Sequence, residues 1–556
     1  MAVRLRHTGR YREIAMALIR HGFGYMVEEL ELFQVLTLPR RWITHESLET
    51  KTIGERLRHV LEDLGPTFIK LGQLASTRSD LLPDDIISEL VKLQDQVPAF
   101  SSETARGILE QELDITIEDA FSWFEDTPIA AASIGQVHMG KLRTGETVAV
   151  KIQRPGVMKM VSRDLDIISG LAEMIEKRWE WARQYQMVRI VAELTKSIMA
   201  ELDYSQEARN TEKISLQFQN DRHIYIPHIY WEYTSSRVLT MEYIEGIMLS
   251  RRDQLLDKGY DLKEIAERVT NGMLHQIFIE GFFHGDPHPG NLLARKDGSI
   301  AFIDFGMVGR ISEDMKDQLS ALIIALMRKN TDGMVRAILK LGLFPEEGDI
   351  SSLRADLDRL RDEYYDIPFS EISMGKALND LFGVARQHQI IIPPDLTLLG
   401  KALLTLEGVM EKLDPSLSII DMAEPFGKKL LKERFSAGRL QKKLVGGVAE
   451  LLEGMLELPG QARQLSTLIS KGKVKVEMNI PELQALMRKM DQISNRLSMS
   501  IVLLAFSIIM VGLIIGSAIN NPSSVLWHLP VIGLGFTVAL FMVIWLLYGI
   551  FKSGRF

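Results

Sequence analysis

The segment HGDPHPGNLL, residues 284–293, sets Asp286 and Asn291 five positions apart in a stretch that also holds two prolines and two glycines. Proline fixes φ and removes a backbone donor, so no regular helix or strand runs through it and the loop must hold a shape of its own. Just downstream, AFIDFG adds Asp304 at the end of a short apolar strand. Three oxygen-bearing side chains on two neighbouring loops suggest a magnesium site, because Mg2+ takes oxygen ligands together with water and substrate phosphates.

A second group of residues suits phosphate chemistry. VHMGKLRTGETVAVKI, residues 137–152, reads as a hairpin around a Thr-Gly-Glu turn, with Val148 and Val150 on one face and Ala149 and Lys151 on the other. A strand lysine is usually solvated. The preceding loop, Ala130, Ala131, Ala132, Ser133, Ile134, Gly135 and Gln136 leading into Val137, is built of small residues, which suits backbone N–H groups meeting a phosphate that Lys151 neutralises. Three alanines in that loop restrict positive φ, so it should hold phosphates differently from a glycine-rich loop. In ELDYSQEARN, Glu201 and Glu207 lie on one helical stretch and point about 120° apart, which gives them different partners. Lys151 is one candidate. The other lies in FIKLGQLASTRSDLLP, where Lys70, Gln73 and Thr77 form a polar stripe beside Phe68, Ile69, Leu71, Leu74 and Ala75. Such a stripe ordinarily faces water.

The elements that must position these groups follow from pattern. Helical periodicity runs to about residue 125, strand-like runs occupy about 128–152 and 223–245, and helices dominate afterwards, so a small mixed lobe precedes a larger helical one. The basic N-terminal stretch, with five arginines and one acid before residue 26, reads either as a membrane-surface helix or as an amphipathic helix packed on its own domain. Ile501–Ile519 and Leu529–Ile550 are uncharged runs of 19 and 22 residues, each long enough to span a bilayer. Arg488, Lys489 and Arg496 precede the first run, Lys552 and Arg555 follow the second, and NNPSSVLWH between them carries no lysine or arginine. The positive-inside rule then places the large N-terminal part and the tail on the cytoplasmic side. The 556 residues allow roughly three or four domains. A net charge of −8 gives no basis for nucleic-acid binding, and the absence of cysteine excludes disulfides and thiolate chemistry.

Together these residues resemble the ABC1/UbiB/ADCK atypical kinases, over about residues 60–430. Lys70, Gly72 and Gln73 match that family's KxGQ signature, continued by Ser76, Arg78, Asp80 and Pro83. AAASIGQV resembles its alanine-rich replacement of the kinase glycine-rich loop, VAVK the strand lysine and ELDYSQEARN its ExD segment. HGDPHPGN corresponds to the kinase catalytic loop, with glycine in place of the arginine after His284, and DFG is unaltered.

The resemblance implies an α+β, bilobed protein-kinase-like fold, which the two apolar runs follow as a two-helix transmembrane hairpin. Pattern and resemblance together divide the chain into an N-terminal basic helical region (1–60), a KxGQ extension (61–127), an N-lobe (128–246), a C-lobe (247–425), a connector (426–498) and the membrane helices (499–550). The resemblance pairs Glu207 with Lys151 and Glu201 with Lys70, and makes the cofactors ATP and Mg2+, the metal held by Asn291 and Asp304. Asp286 would orient a hydroxyl or water. The hinge MEYIEG would bind adenine through backbone at Glu242 or Tyr243, while His284 and His288 brace the loop. The KxGQ helix would cover the protein-substrate site, favouring ATP hydrolysis in support of ubiquinone or another isoprenoid quinone. Membrane lipids, quinone precursors and quinone-biosynthesis enzymes are the implied partners, self-association stays open, and the place is the bacterial inner membrane. The rivals are a protein kinase, a small-molecule phosphotransferase and a non-catalytic kinase-like membrane scaffold.

Overall fold

A computed structural model describes residues 7–30, 51–93, 97–328, 330–342, 344–345, 348–364 and 373–434, with scattered positions from 500 to 541. The chain divides into two units, Met1–Lys443 and Leu444–Phe556.

In the first unit, β1 (Phe121–Phe124), β2 (Ala130–Ala131), β3 (Gly135–Leu142), β4 (Thr147–Gln153), β5 (Ile224–Tyr225) and β6 (Val238–Glu242) follow one another along the chain. All but β5 form an antiparallel sheet of order β1-β3-β4-β6, with β2 on β3. The β3–β4 hairpin turns where the sequence predicts, with Gly145 at a φ of 111° that suits a residue without Cβ. On the central strand β4, Val148, Val150 and Ile152 enter a core with Ile108, Leu109 and Phe121, so alternation sends Lys151 to the opposite face. β1 corrects the expectation of helix up to about residue 125. After the short helix Ile117–Ala120, Phe121 and Phe124 are buried and pair with β3 across a bulge, because tertiary pairing outweighs the local pattern.

A helical layer packs on the lysine-bearing side of the chain. Thr8–Arg20, Ile53–Leu64, Pro66–Ala75, Val157–Arg178 and Met187–Glu201 share one core containing Ile14, Leu61, Phe68, Leu74, Leu165 and Ile198. The basic N-terminal helix therefore packs on this domain, the second of the two readings its sequence allows. Tyr11, Ile14 and Ala15 are buried, and Arg10 donates through Nε and Nη2 to the buried Asp164 at 3.0 and 2.9 Å.

Downstream, β7 (Ile247–Met248), β9 (Leu292–Ala294) and β10 (Ile300–Phe302) join β5 in a second sheet, while β8 (Phe282–His284) pairs with β11 (Val308–Arg310). The helices Leu262–Leu274 and Pro394–Leu413 pack around this lobe through Val269, Met273, Phe302 and Leu406. HGDPHPGN thus connects β8 to β9, and the DFG turn connects β10 to β11.

The two apolar runs expected to span a membrane, and most of the connector before them, lie largely outside the described residues. Among the described residues no helix is long and apolar enough to cross a membrane. Ile501, Leu504, Ile508, Val511 and Ile515 are helical and each more than half exposed.

The Arg10–Asp164 pair supplies a stability test. Arg10→Ala leaves Asp164 buried with only the Nε of Arg163, 3.4 Å away, as a cation. The substitution should destabilise the N-terminal unit by about 1–3 kcal/mol, read as a lowered unfolding midpoint. An unchanged midpoint would contradict this packing.

Candidate functional site

Lys151 leaves β4 towards the first turn of the helix Tyr204–Gln217, where its Nζ donates to Glu207 Oε1 and Oε2 at 3.1 and 2.8 Å. Glu201 ends the preceding helix, Met187–Glu201, and accepts from Lys70 Nζ. The two glutamates do not share one helix as their spacing suggested. The chain breaks at Leu202–Asp203, and the Asp203 side chain caps the second helix by accepting the Ser205 N–H at 3.1 Å. The partners are those expected, but the helical-angle argument that assigned them does not apply.

Asp304 lies close to both pairs, at a left-handed φ of 62°. Lys151 above all, with the Gly306 N–H and Lys70, brings its carboxyl down to about 2 although burial opposes this. Burial works against the Lys151 ammonium, yet Asp304, Glu207 and Tyr204 outweigh it and hold lysine well above its ordinary value. Burial, aided by Asp304 and Glu201, pushes the Glu207 carboxyl up to about 7 in spite of Lys151. Three carboxylates and two ammonium groups thus meet between the sheet, three helices and the DFG turn.

The HGDPHPGN loop is pinned by its own polar groups. The Asp286 N–H donates to His284 Nδ1 at 3.2 Å, and Asn291 Nδ2 donates to the Asp286 carbonyl at 3.3 Å. The Ile303 N–H donates to the Asn291 carbonyl at 2.9 Å, which ties the loop to the residue preceding Asp304. His284 is fully buried and burial draws its imidazole down to about 4, so it acts as a neutral acceptor that braces the loop. His288 is exposed and accepts the Gly290 N–H at 3.0 Å, again within the loop. Lys401, from the helix Pro394–Leu413, brings Nζ to 3.4 Å from Asp286 Oδ2.

Several sequence-based roles change. A Cβ on Gly135 would lie 2.3 Å from the Tyr204 hydroxyl and 2.6 Å from the Ile152 carbonyl, so packing alone already requires glycine there. Ser133, Ile134 and Gln136 bury their side chains, and Gln136 is spent on the backbone of Phe100 and on His138. Ala130 is exposed, and Ala131, Ala132, Val137 and Ala149 are half-buried. At the hinge, the Glu242 and Tyr243 N–H groups are already taken by the His228 and Thr147 carbonyls at 2.8 and 3.0 Å. Neither can donate to a base without breaking those bonds. The next N–H, that of Ile244, has no partner among the described residues.

The KxGQ helix is fastened on all sides, so its polar stripe does not simply face water. Gly72 admits Leu61 and Leu93, each within 2.7 Å of where a Cβ would sit. Gln73 and Thr77 donate to the Leu93 and Leu74 carbonyls. Arg78 bonds Asp80 through Nε and Nη2 at 2.9 and 2.8 Å, and Arg386 donates to the Ser79 and Leu82 carbonyls at 2.8 and 2.9 Å. Arg386, Tyr204 and Lys401 were not singled out in the sequence. Only Tyr204, directly after a capping aspartate, carried a local cue.

Among the described residues no group of three or more His, Cys, Asp or Glu is arranged to hold a metal. One carboxylate and one amide fall below that count yet fit Mg2+, which is bound through one or two protein oxygens plus substrate phosphates. Asp304 is ionised, and with Asn291 Nδ2 donating to Asp286 its Oδ1 has no partner among the described residues. A cavity of about 580 Å³ lined by Lys213, Phe282, Arg310 and Glu313 contains none of these groups.

A five-stranded sheet bearing a lysine–glutamate pair, joined to a lobe with an HGD loop and a DFG turn, defines a protein-kinase-like protein. The chain belongs to the ABC1/UbiB family of atypical kinase-like proteins: residues 92–338 match the ABC1 atypical kinase-like domain, 357–418 the UbiB helical domain and 481–552 the ABC1/UbiB kinase-like C-terminal domain. It is 36% identical over 470 residues to an uncharacterized protein of Synechocystis, covering 83% of this chain and 80% of that one. An uncharacterized Clostridium pasteurianum protein from a hydrogenase 1 5' region is 33% identical over 549 residues, 98% of this chain and 99% of its own. A probable protein kinase UbiB of Pseudomonas fluorescens is 35% identical over 471 residues, 83% and 87% of the two chains.

The buried His284 makes a pH prediction. An unfolded histidine binds a proton below its ordinary value of 6.5, whereas the folded one resists until about 4. The unfolded state therefore holds more protons across that window, and stability falls as pH drops through it. The urea midpoint should decline between those pH values in the wild type and decline less in His284→Gln. Equal slopes would contradict a neutral, buried imidazole.

Proposed function

We propose that the protein binds ATP with Mg2+ between its two lobes and hydrolyses it, supporting the biosynthesis of ubiquinone or a related isoprenoid quinone at a membrane. The observation that carries this reading is the ion-pair cluster. Glu207 holds Lys151 in one orientation, and Asp304 stays ionised beside it. In that position Lys151 meets the α and β phosphates, as the strand lysine of a kinase does. Asn291 and Asp304 would hold Mg2+, which would offset the negative charge of the nucleotide phosphates. Asp286, with its backbone pinned on both sides, orients the acceptor. Ile244 offers the hinge N–H to adenine, in place of Glu242 or Tyr243.

Hydrolysis is favoured over transfer to a protein because the segment carrying Lys70 is fastened to Glu201 at one end and to Arg386 at the other. A docking polypeptide would have to displace it. The name of the Pseudomonas relative, a probable protein kinase, keeps protein phosphorylation as the alternative. The runs Ile501–Ile519 and Leu529–Ile550 would anchor the chain in the bacterial inner membrane with the catalytic part in the cytoplasm. That places it beside lipids, quinone precursors and the enzymes that act on them.

Asp304→Asn keeps the shape and removes the charge. It should lower Mg2+-dependent ATP turnover by about 100-fold or more. In a deletion strain the wild type should restore quinone levels and the variant should not. Normal turnover by the variant would refute the assignment.

A further inference from the structure

The residue after His284 is glycine, and the structure gives a physical reason. A Cβ on Gly285 would lie 2.8 Å from Leu398 Cδ2 and 3.0 Å from both Cδ1 and Cγ. The space that a side chain at this position would enter is occupied here by a leucine from the helix Pro394–Leu413. The same helix reaches two more parts of the site. Asp395 Oδ1 accepts the Arg310 N–H at 2.9 Å and holds β11, the strand after the DFG turn. Lys401, three residues beyond Leu398, brings Nζ to 3.4 Å from Asp286 Oδ2. Asp395, Leu398 and Lys401 follow at intervals of three and run along one side of the helix over its first two turns.

The backbone of Asp286 is fixed by His284 and Asn291. Its carboxylate is not fixed by that loop, and among the described residues Lys401 is its ion-pair partner. The two side chains are 25% and 29% exposed, so the pair is too solvated to add much stability. It does set a cation against one oxygen of that carboxylate.

We infer that Lys401 is the positioning residue for Asp286, so that the helical domain supplies part of the active site. This rests on the ATP-hydrolysing reading above. Asp286 lies within the kinase-like match at 92–338, whereas Lys401 lies within the UbiB helical match at 357–418. The helical domain thereby meets the loop at two points: Leu398 closes on Gly285 and Lys401 provides a cation beside the Asp286 carboxylate. Lys401 makes no contact with Lys151, Glu207, Asn291 or Asp304 among the contacts of the described residues, so nucleotide binding should not depend on it.

The test uses the full chain and steady-state ATP hydrolysis. Lys401→Met should lower kcat by about 10- to 100-fold, within what a positioned acid–base group contributes. The KM for ATP should stay within about twofold, which assigns the loss to the chemical step and not to binding. Lys401→Arg should recover most of the rate, and Lys401→Gln, which keeps the polar stem, should not. That uncharged variant serves equally if Lys401→Met fails to fold. Combined with Asp286→Asn, the loss from Lys401→Met should disappear, because the two act as one unit. Wild-type kcat in both uncharged variants, or a loss that multiplies with that of Asp286→Asn, would overturn the role. Equal turnover by the wild type and Asp304→Asn would instead remove the ATP-hydrolysing reading, and the Lys401 role with it.

Discussion

The contact between Lys151 and Glu207 is the constraint around which the rest of the site is arranged. Removing two charges from water is costly, and a buried pair repays that cost only with good geometry and further polar partners. Here Lys151 spans both oxygens of Glu207, and its ammonium also lies over the Tyr204 ring, 5.1 Å from the centroid. The neighbours leave the balance incomplete. Glu201, Glu207 and Asp304 outnumber Lys70 and Lys151, and burial, with the neighbouring Asp304 and Glu201 adding to it, lifts Glu207 to about 7. A cluster with more carboxylates than cations is suited to receive a divalent cation, whose arrival would settle the charge that the protein alone does not.

The fold meets this constraint from three sides. β4 supplies Lys151 because alternation buries its valines and leaves the lysine facing the cleft. The break at Asp203 lets Glu201 and Glu207 come from two helices, each aimed at its own lysine. Tyr204, fully buried in the first turn of the second helix, presses its hydroxyl towards Gly135 and so sets the distance between helix and sheet. A glycine retained for a protein contact at this point shows why the small-residue loop is not simply a weaker glycine-rich loop.

What could be read in the sequence was whatever has a local signature. The prolines and glycines of HGDPHPGN marked an irregular loop, and the valine alternation around Lys151 marked its strand and face. The motif order marked the family and the lysine–glutamate partners. Asp203 also had a local signature, that of a helix cap, but one continuous pattern through ELDYSQEARN masked it. Contacts across the chain had none. Nothing near Lys401 announces Asp286, and nothing near Gly285 announces Leu398, because each is defined only when the helical domain closes on the loop. The N-terminal helix illustrates the same limit: its arginines suit a lipid surface, and only the buried Asp164 shows that one of them is spent inside the protein.

The central claim is that this cluster accepts an adenine nucleotide through a divalent cation. Isothermal titration of the full chain with ATP, in Mg2+ and again in EDTA, tests it most directly. The account predicts saturable uptake with Mg2+ and its loss in EDTA. Equal uptake in both conditions, or none in either, would contradict it.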